Sequence, residues 1–214
     1  MSLSHSPSIV TSGLVLCLDA ANPRSYPGSG TTIYDISGSG YNGTLVNGPT
    51  FSSVNGGVIV TDGVNDYIDV PGINLATSTY TVFGAARYVT VSGRMITAKV
   101  NNWLMGHWSG TTENYYAEGW VSTAGSGAAD TNWRIYSASW NQSTDSAALY
   151  TNGALTSGPN TSASAGPNGI CIGAHNAISE WSNGQFSFVM VYNKVLTADE
   201  VTQNFNALRG RFGI

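Results

Sequence analysis

Residues 184–214 read GQFSFVMVYNKVLTADEVTQNFNALRGRFGI, and this stretch decides the fold. Over 186–192, Phe186, Phe188, Met190 and Tyr192 alternate with Val189 and Val191. A strand apolar on both faces is covered on both sides, so the pattern predicts a central strand of a sheet. Thr197-Ala198-Asp199-Glu200 then reads as a capping box, with Leu196 and Val201 at the spacing of a hydrophobic staple. Val201, Phe205 and Leu208 share one helical face, and Gly210 is the expected stop. The Phe205 ring is expected beneath a sheet.

Working outward, residues 13–19 (GLVLCLD) form the other strand with two apolar faces: Leu14, Leu16 and Leu18 against Val15 and Cys17. It is the expected neighbour of the closing strand. Between the two lie short β-like segments separated by Gly, Pro, Ser and Asn. These include 32–34, 44–46, 58–60, 67–70, 80–91, 95–100, 103–108, 114–121 and 133–140. Asn152-Gly153, inside ALYTNGAL, suits a type I′ hairpin turn because both residues tolerate positive φ. Many short strands with turn signals and one helix predict an all-β fold: a two-sheet antiparallel jelly-roll sandwich with one short C-terminal helix. Residues 13–214 form one domain, preceded by a polar arm over residues 1–12.

Charged residues are 9% of the 214-residue chain, well below the usual quarter, and polarity comes from Ser, Thr, Asn and Gly. A net charge of -4 and the absence of any basic run exclude the electrostatic footprint of nucleic-acid binding. No apolar stretch reaches the roughly 18 residues of a bilayer span, and MSLSHSPSIV has neither the basic start nor the apolar core of a signal peptide. Cys17 and Cys171 both sit in apolar strand-like runs. A disulfide would need their Cα atoms within about 7 Å, and without a secretory signal the preferred reading is two buried free thiols.

Four stretches carry a resemblance: GLVLCLDAANPRSYPGSGTTIYDISGSGYNGTL, DGVNDYIDV, ALYTNGAL and FSFVMVYNKVLTADEV. In this order, from Gly13 almost to the C-terminus, they resemble the laminin-G-like branch of the concanavalin A-like lectin/glucanase superfamily. The resemblance implies two curved antiparallel sheets with the first and last strands adjacent. The opening segment is most similar to stand-alone members found in tailed bacteriophage virions. That implies a virion surface protein, decorating a capsid or belonging to a fibre and made in the host cytoplasm. Its partners would be other virion proteins, surface glycans and copies of itself, without nucleic acid or membrane insertion. The alternative is a soluble carbohydrate-binding lectin, with a glycoside hydrolase third.

Catalysis on this fold would need two carboxylates about 5 to 9.5 Å apart across a sugar. The glucanase E-x-D-x-x-E pattern is absent, and Glu113, Glu118 and Glu180 form no such set. No enzyme is expected. For sugar binding, Trp108 and Trp181 stand in loop-like contexts and are the expected stacking rings, with Tyr115 and His107 beside them. For a metal, Asp62, Asn65 and Asp66 are the densest oxygen cluster, and calcium is the ion it would take. The preferred reading of that cluster is a turn whose amides are capped by Asp66, with no cofactor.

Overall fold

Strands recur from Leu14 to Tyr192, separated by loops, as the sequence pattern predicts. The structure, a computed structural model, describes residues 7–90 and 93–214. In chain order the strands are β1 (Leu14–Asp19), β2 (Thr32–Ile33), β3 (Gly43–Val46), β4 (Thr50–Ser52), β5 (Val58–Asp62), β6 (Tyr67–Asn74), β7 (Tyr80–Tyr88) and β8 (Ile96–Ala98). They continue as β9 (Trp103–Trp108), β10 (Thr111–Ala117), β11 (Arg134–Asn141), β12 (Ser146–Thr151), β13 (Ala154–Asn160), β14 (Asn168–Ile172) and β15 (Asn183–Tyr192). The helix α1 (Ala198–Leu208) follows. Residues 1–6 of the expected arm, and Val91 at the end of the expected 80–91 strand, lie outside the described residues.

The strands form two antiparallel sheets, as expected. The large sheet runs β13-β12-β11-β7-β15-β5-β4, and the small one β10-β9-β8-β14-β6-β3-β2. β15 lies within the large sheet. It pairs with β7 along one edge; along the other it pairs first with β5 and then with β1, from Phe188↔Asp19 to Tyr192↔Leu14. The expected adjacency of first and last strands is therefore present. So is the hairpin turn, with Asn152 at φ 50° and Gly153 at φ 80°.

The sandwich has two apolar regions. One, between the sheets, holds Leu16, Leu18, Ile68, Val70, Trp103, Tyr115, Tyr136, Phe186, Val189 and Val191, among others. The second covers the outer face of the large sheet and holds Cys17, Phe83, Phe188, Met190, Tyr192, Leu196 and Val201, with Leu14, Phe205, Leu208 and Phe212 packed against it. Simple alternation placed Phe186 with Phe188, and Leu14 with Leu16. The structure separates both pairs because the ladders slip, between Phe186 and Phe188 against β7 and between Leu14 and Leu16 against β15. One extra residue in a strand reverses the facing of everything beyond it. Cys17 and Cys171 are buried free thiols, and burial pushes them up to about 12 and about 11, respectively.

The capping box forms as read: the Thr197 hydroxyl accepts the Glu200 amide and the Glu200 carboxylate accepts the Thr197 amide. The helix end differs from the expectation. α1 runs on into a 3-10 turn over Arg209–Arg211, and Gly213, not Gly210, takes a positive φ, of 70°. Arg211 then ties the tail to β1 through a paired contact with Asp19, at 3.0 and 3.1 Å. Asn204, which the pattern did not single out, is fully buried. It accepts the Val10 amide at 2.7 Å and donates to the Tyr192 hydroxyl at 3.0 Å, so residues of the arm are fastened to the helix.

Phe205 is half-buried rather than beneath the sheet. Its ring lies over Gly153 of the β12–β13 turn, with the Arg209 guanidinium 5.6 Å from its centroid. A fully buried Phe→Ala change costs about 3–5 kcal/mol, and Phe205→Ala is expected to cost about half of that. A urea melt checks the figure; a loss above 4 kcal/mol would show that the ring carries more of the docking than its exposure implies.

Candidate functional site

Strand parity sorts the side chains of the small sheet into an inner and an outer set. Along β9, Trp103 and Met105 point into the sandwich, while Leu104 and Trp108 lie on the outer side. On β10, Tyr115 points inward and Tyr116 outward, opposite Leu104. Beyond β10 the chain returns so that Trp120 bridges to Tyr116. The result is a cluster of three half-buried rings on the outer face. Trp108 and Trp120 have centroids 5.0 Å apart, and Tyr116 and Trp120 have theirs 5.1 Å apart. None of the three belongs to either apolar core.

A second aromatic pair lies on the same outer face. Trp181 packs against Tyr67 with centroids 6.0 Å apart, and the Lys99 ammonium sits 5.0 Å from the Tyr67 ring centroid while pairing with Asp69 at 2.9 Å. Between the two aromatic groups runs the β14–β15 loop, residues 173–182. Its Ala174 carbonyl accepts the hydroxyl of Thr97 of β8 at 2.7 Å. Glu180 accepts two hydrogen bonds from Arg94, at 2.8 and 3.2 Å, and Arg94 also donates to Asn102 at 2.7 Å. Gly93 is required here, because a Cβ at this position would stand 1.8 Å from the Glu180 carbonyl oxygen. The loop holds Asn176, Ala177 and Glu180 in left-handed conformations, at φ 51°, 59° and 49°. Such strain is kept only where the surroundings fix it.

Trp108 and Trp181 are therefore on one face, each with part of its ring open to solvent. Tyr115 and His107 are not with them. Both are fully buried inside the sandwich, out of a ligand's reach, which corrects the expectation that they stand beside the stacking rings. Tyr115 hydrogen-bonds Tyr80 at 2.7 Å, and His107 is edge-on to the rings of Tyr88 and Tyr136, with centroids 4.5 and 5.4 Å away. Tyr116 and Trp120 take their places in the outer cluster. Parity alone distinguishes Tyr116 from Tyr115. Trp120 falls within the expected 114–121 segment, in step with Tyr116, but the strand ends at Ala117 and Trp120 reaches Tyr116 by the return of the chain.

Asp62, Asn65 and Asp66 meet at the β5–β6 turn. Asp62, not Asp66, caps the turn, accepting the amides of Val64 at 2.8 Å and Asn65 at 3.3 Å; these bonds hold its carboxyl below the usual range. Asp66 is buried, and burial together with the Asp62 charge raises its carboxyl. The Asn65 carbonyl is taken by the Asn47 side chain at 2.8 Å. Both carboxylates line a cleft of about 310 Å³ with Asn47, Thr61 and Asn183. Calcium takes six to eight oxygens, several of them carboxylate. Among the described residues no three Asp, Glu, His or Cys side chains gather at one point. The donor set does not fit calcium.

No family model matches the chain, and no curated protein matches it. Solved structures do. Trypanosoma rangeli sialidase superposes with a TM-score of 0.71 at 13% identity, over 97% of this chain and 36% of the sialidase. Domain 4 of AbnA, a GH43 extracellular arabinanase from Geobacillus stearothermophilus, solved in complex with arabinotriose, gives 0.67 at 18% identity over 90% of this chain and 98% of that one. The binding domain of botulinum neurotoxin serotype D gives 0.64 at 14%, over 92% and 52%. The chain thus spans about a third of the sialidase and half of the toxin domain. At these identities the likeness is one of fold alone: a two-sheet antiparallel β-sandwich.

Proposed function

We propose that the protein is a non-catalytic, lectin-like module that binds glycans on the outer face of its small sheet. The cluster of Trp108, Tyr116 and Trp120 carries the reading, since three partly open rings outside both cores offer π-faces to the C–H faces of sugars. Trp181 and Tyr67 extend the same face beyond the loop. A structural neighbour solved with arabinotriose supports the class of ligand. Arg94 and Glu180 neutralise each other between the aromatic groups, which favours an uncharged glycan. The virion-surface setting implied by the opening segment is the finer part of this proposal; a particle proteome tests it, and recovery only as free protein opposes it.

Trp120→Ala and Trp108→Ala are each expected to weaken glycan binding at least tenfold, the effect of losing one stacked ring. Trp103→Phe, a substitution inside the core, should leave affinity unchanged. A glycan array followed by calorimetry measures this. Failure of the unaltered protein to bind any glycan, or undiminished binding by Trp120→Ala, would remove the proposal.

A further inference from the structure

We infer that the chain holds a second carbohydrate site, a pocket for a single neutral sugar ring, on the outer face of the large sheet beside the start of α1. A cleft of about 190 Å³ opens there between β11, β12 and β13 and the segment leading into the helix. It lies on the opposite sheet from the aromatic cluster and shares no residue with it. The inference does not depend on that cluster binding anything.

One wall carries hydroxyls and an amide, from Ser139, Asn141, Thr144 and Ser146. Ser139 is decisive. It is 5% exposed, and its main-chain carbonyl is engaged by Tyr115, but its side-chain hydroxyl opens onto the cleft without a partner among the described residues. A hydroxyl that faces a cleft with no protein partner is a ready contact for a ligand that can both donate and accept. The Ser146 and Thr144 hydroxyls are likewise without side-chain partners, while Asn141 spends its carbonyl oxygen on the turn amides of Ser143 and Thr144 and keeps its NH₂ free. The facing wall is apolar: Ala148, Tyr150, Pro159, Val195 and Leu196.

This division matches a pyranose or furanose, with hydroxyls around its rim and C–H groups on its face. Among the described residues no charged side chain lines the cleft, so a sialic or uronic acid would lose its hydration without gaining a counter-charge. The volume suits one ring and not a chain.

Residue-resolved NMR titration with glucose, galactose, mannose and arabinose, and with N-acetylneuraminic acid as the charged control, tests the assignment. The expected result is saturable, millimolar shifts at the amides of Ser139, Ser146, Ala148 and Tyr150 with at least one neutral sugar and none with the charged one. Ser139→Ala should weaken that binding roughly tenfold. Ala148→Leu, which fills the cleft, should abolish it, and Trp120→Ala should leave it unchanged. Three results would overturn the inference: no saturable shift at these residues with any neutral sugar, equal shifts in Ser139→Ala, or shifts confined to Trp108, Tyr116 and Trp120.

Discussion

Tyr80→Phe is expected to destabilise the protein by about 3 kcal/mol, although it removes one oxygen atom from a ring that stays in place. Trp103 donates its indole N–H to the Tyr80 hydroxyl at 2.9 Å, Tyr80 lies 2.7 Å from the Tyr115 hydroxyl, and Tyr115 donates to the Ser139 carbonyl at 3.2 Å. Since Tyr115 gives its proton to Ser139, Tyr80 must give its own to Tyr115. The protons run one way, from β9 to β7 to β10 and on to β11, stitching the two sheets together through groups that are all fully buried. Removing the middle oxygen leaves the Trp103 donor and a Tyr115 lone pair unsatisfied where water cannot reach, at about 1–3 kcal/mol each. The melting temperature should fall by roughly 6–12 °C for a chain of this size. Tyr115→Phe leaves Trp103 paired but orphans the Tyr80 hydroxyl proton and takes a donor from the Ser139 carbonyl, so it should cost a similar amount, about 2–3 kcal/mol. A loss below about 1 kcal/mol for Tyr80→Phe in a urea melt would refute the relay.

The same residues show how far the sequence could be read. The two strands apolar on both faces, the capping box and the Asn152-Gly153 turn are local patterns with a local physical cause, and each stands in the structure where its residues put it. Facing was less legible. The shifts at Leu14–Leu16 and Phe186–Phe188 arise from how two strands pair, and nothing within one strand records that. For the candidate site, loop-like surroundings brought out Trp108 and Trp181, but Tyr115 and His107 were added for their company. Counting from Trp103 in steps of two would have sent His107 inward; pairing Tyr115 with Met105 would have done the same for the tyrosine. Trp120 joins the surface only through its bridge to Tyr116, a contact made by the return of the chain. At the β5–β6 turn, alternation placed Asp66 on the core side correctly. The cap itself comes from Asp62, because an aspartate bonds most readily to amides two and three residues ahead.

His107 should make the protein acid-labile in a way that one substitution removes. The imidazole is fully buried between Tyr88 and Tyr136, and neither ring nitrogen has a hydrogen-bond partner among the described residues. Burial, reinforced by the Arg134 charge and slightly opposed by Asp130, lowers its pKa from 6.5 to about 3. In the unfolded chain the ring takes up a proton near its ordinary value; in the folded chain it does so only near 3. Between those limits the unfolded state binds more protons, so stability falls as pH falls, by about 1.4 kcal/mol for each unit below 6.5. From pH 7.5 to 4.5 the loss from this one residue is roughly 3 kcal/mol. His175, also lowered by burial, acts in the same direction, while Asp66, whose carboxyl is raised, acts in the opposite one. Both persist in His107→Phe, so the difference between the two stability–pH curves isolates His107. The substituted protein should lose about 3 kcal/mol less over that range, whatever its stability at neutral pH. Parallel curves would mean that the buried ring gains a proton without unfolding, and the interior around Tyr88 and Tyr136 would then have to admit a counter-charge or water that the packing leaves no visible room for.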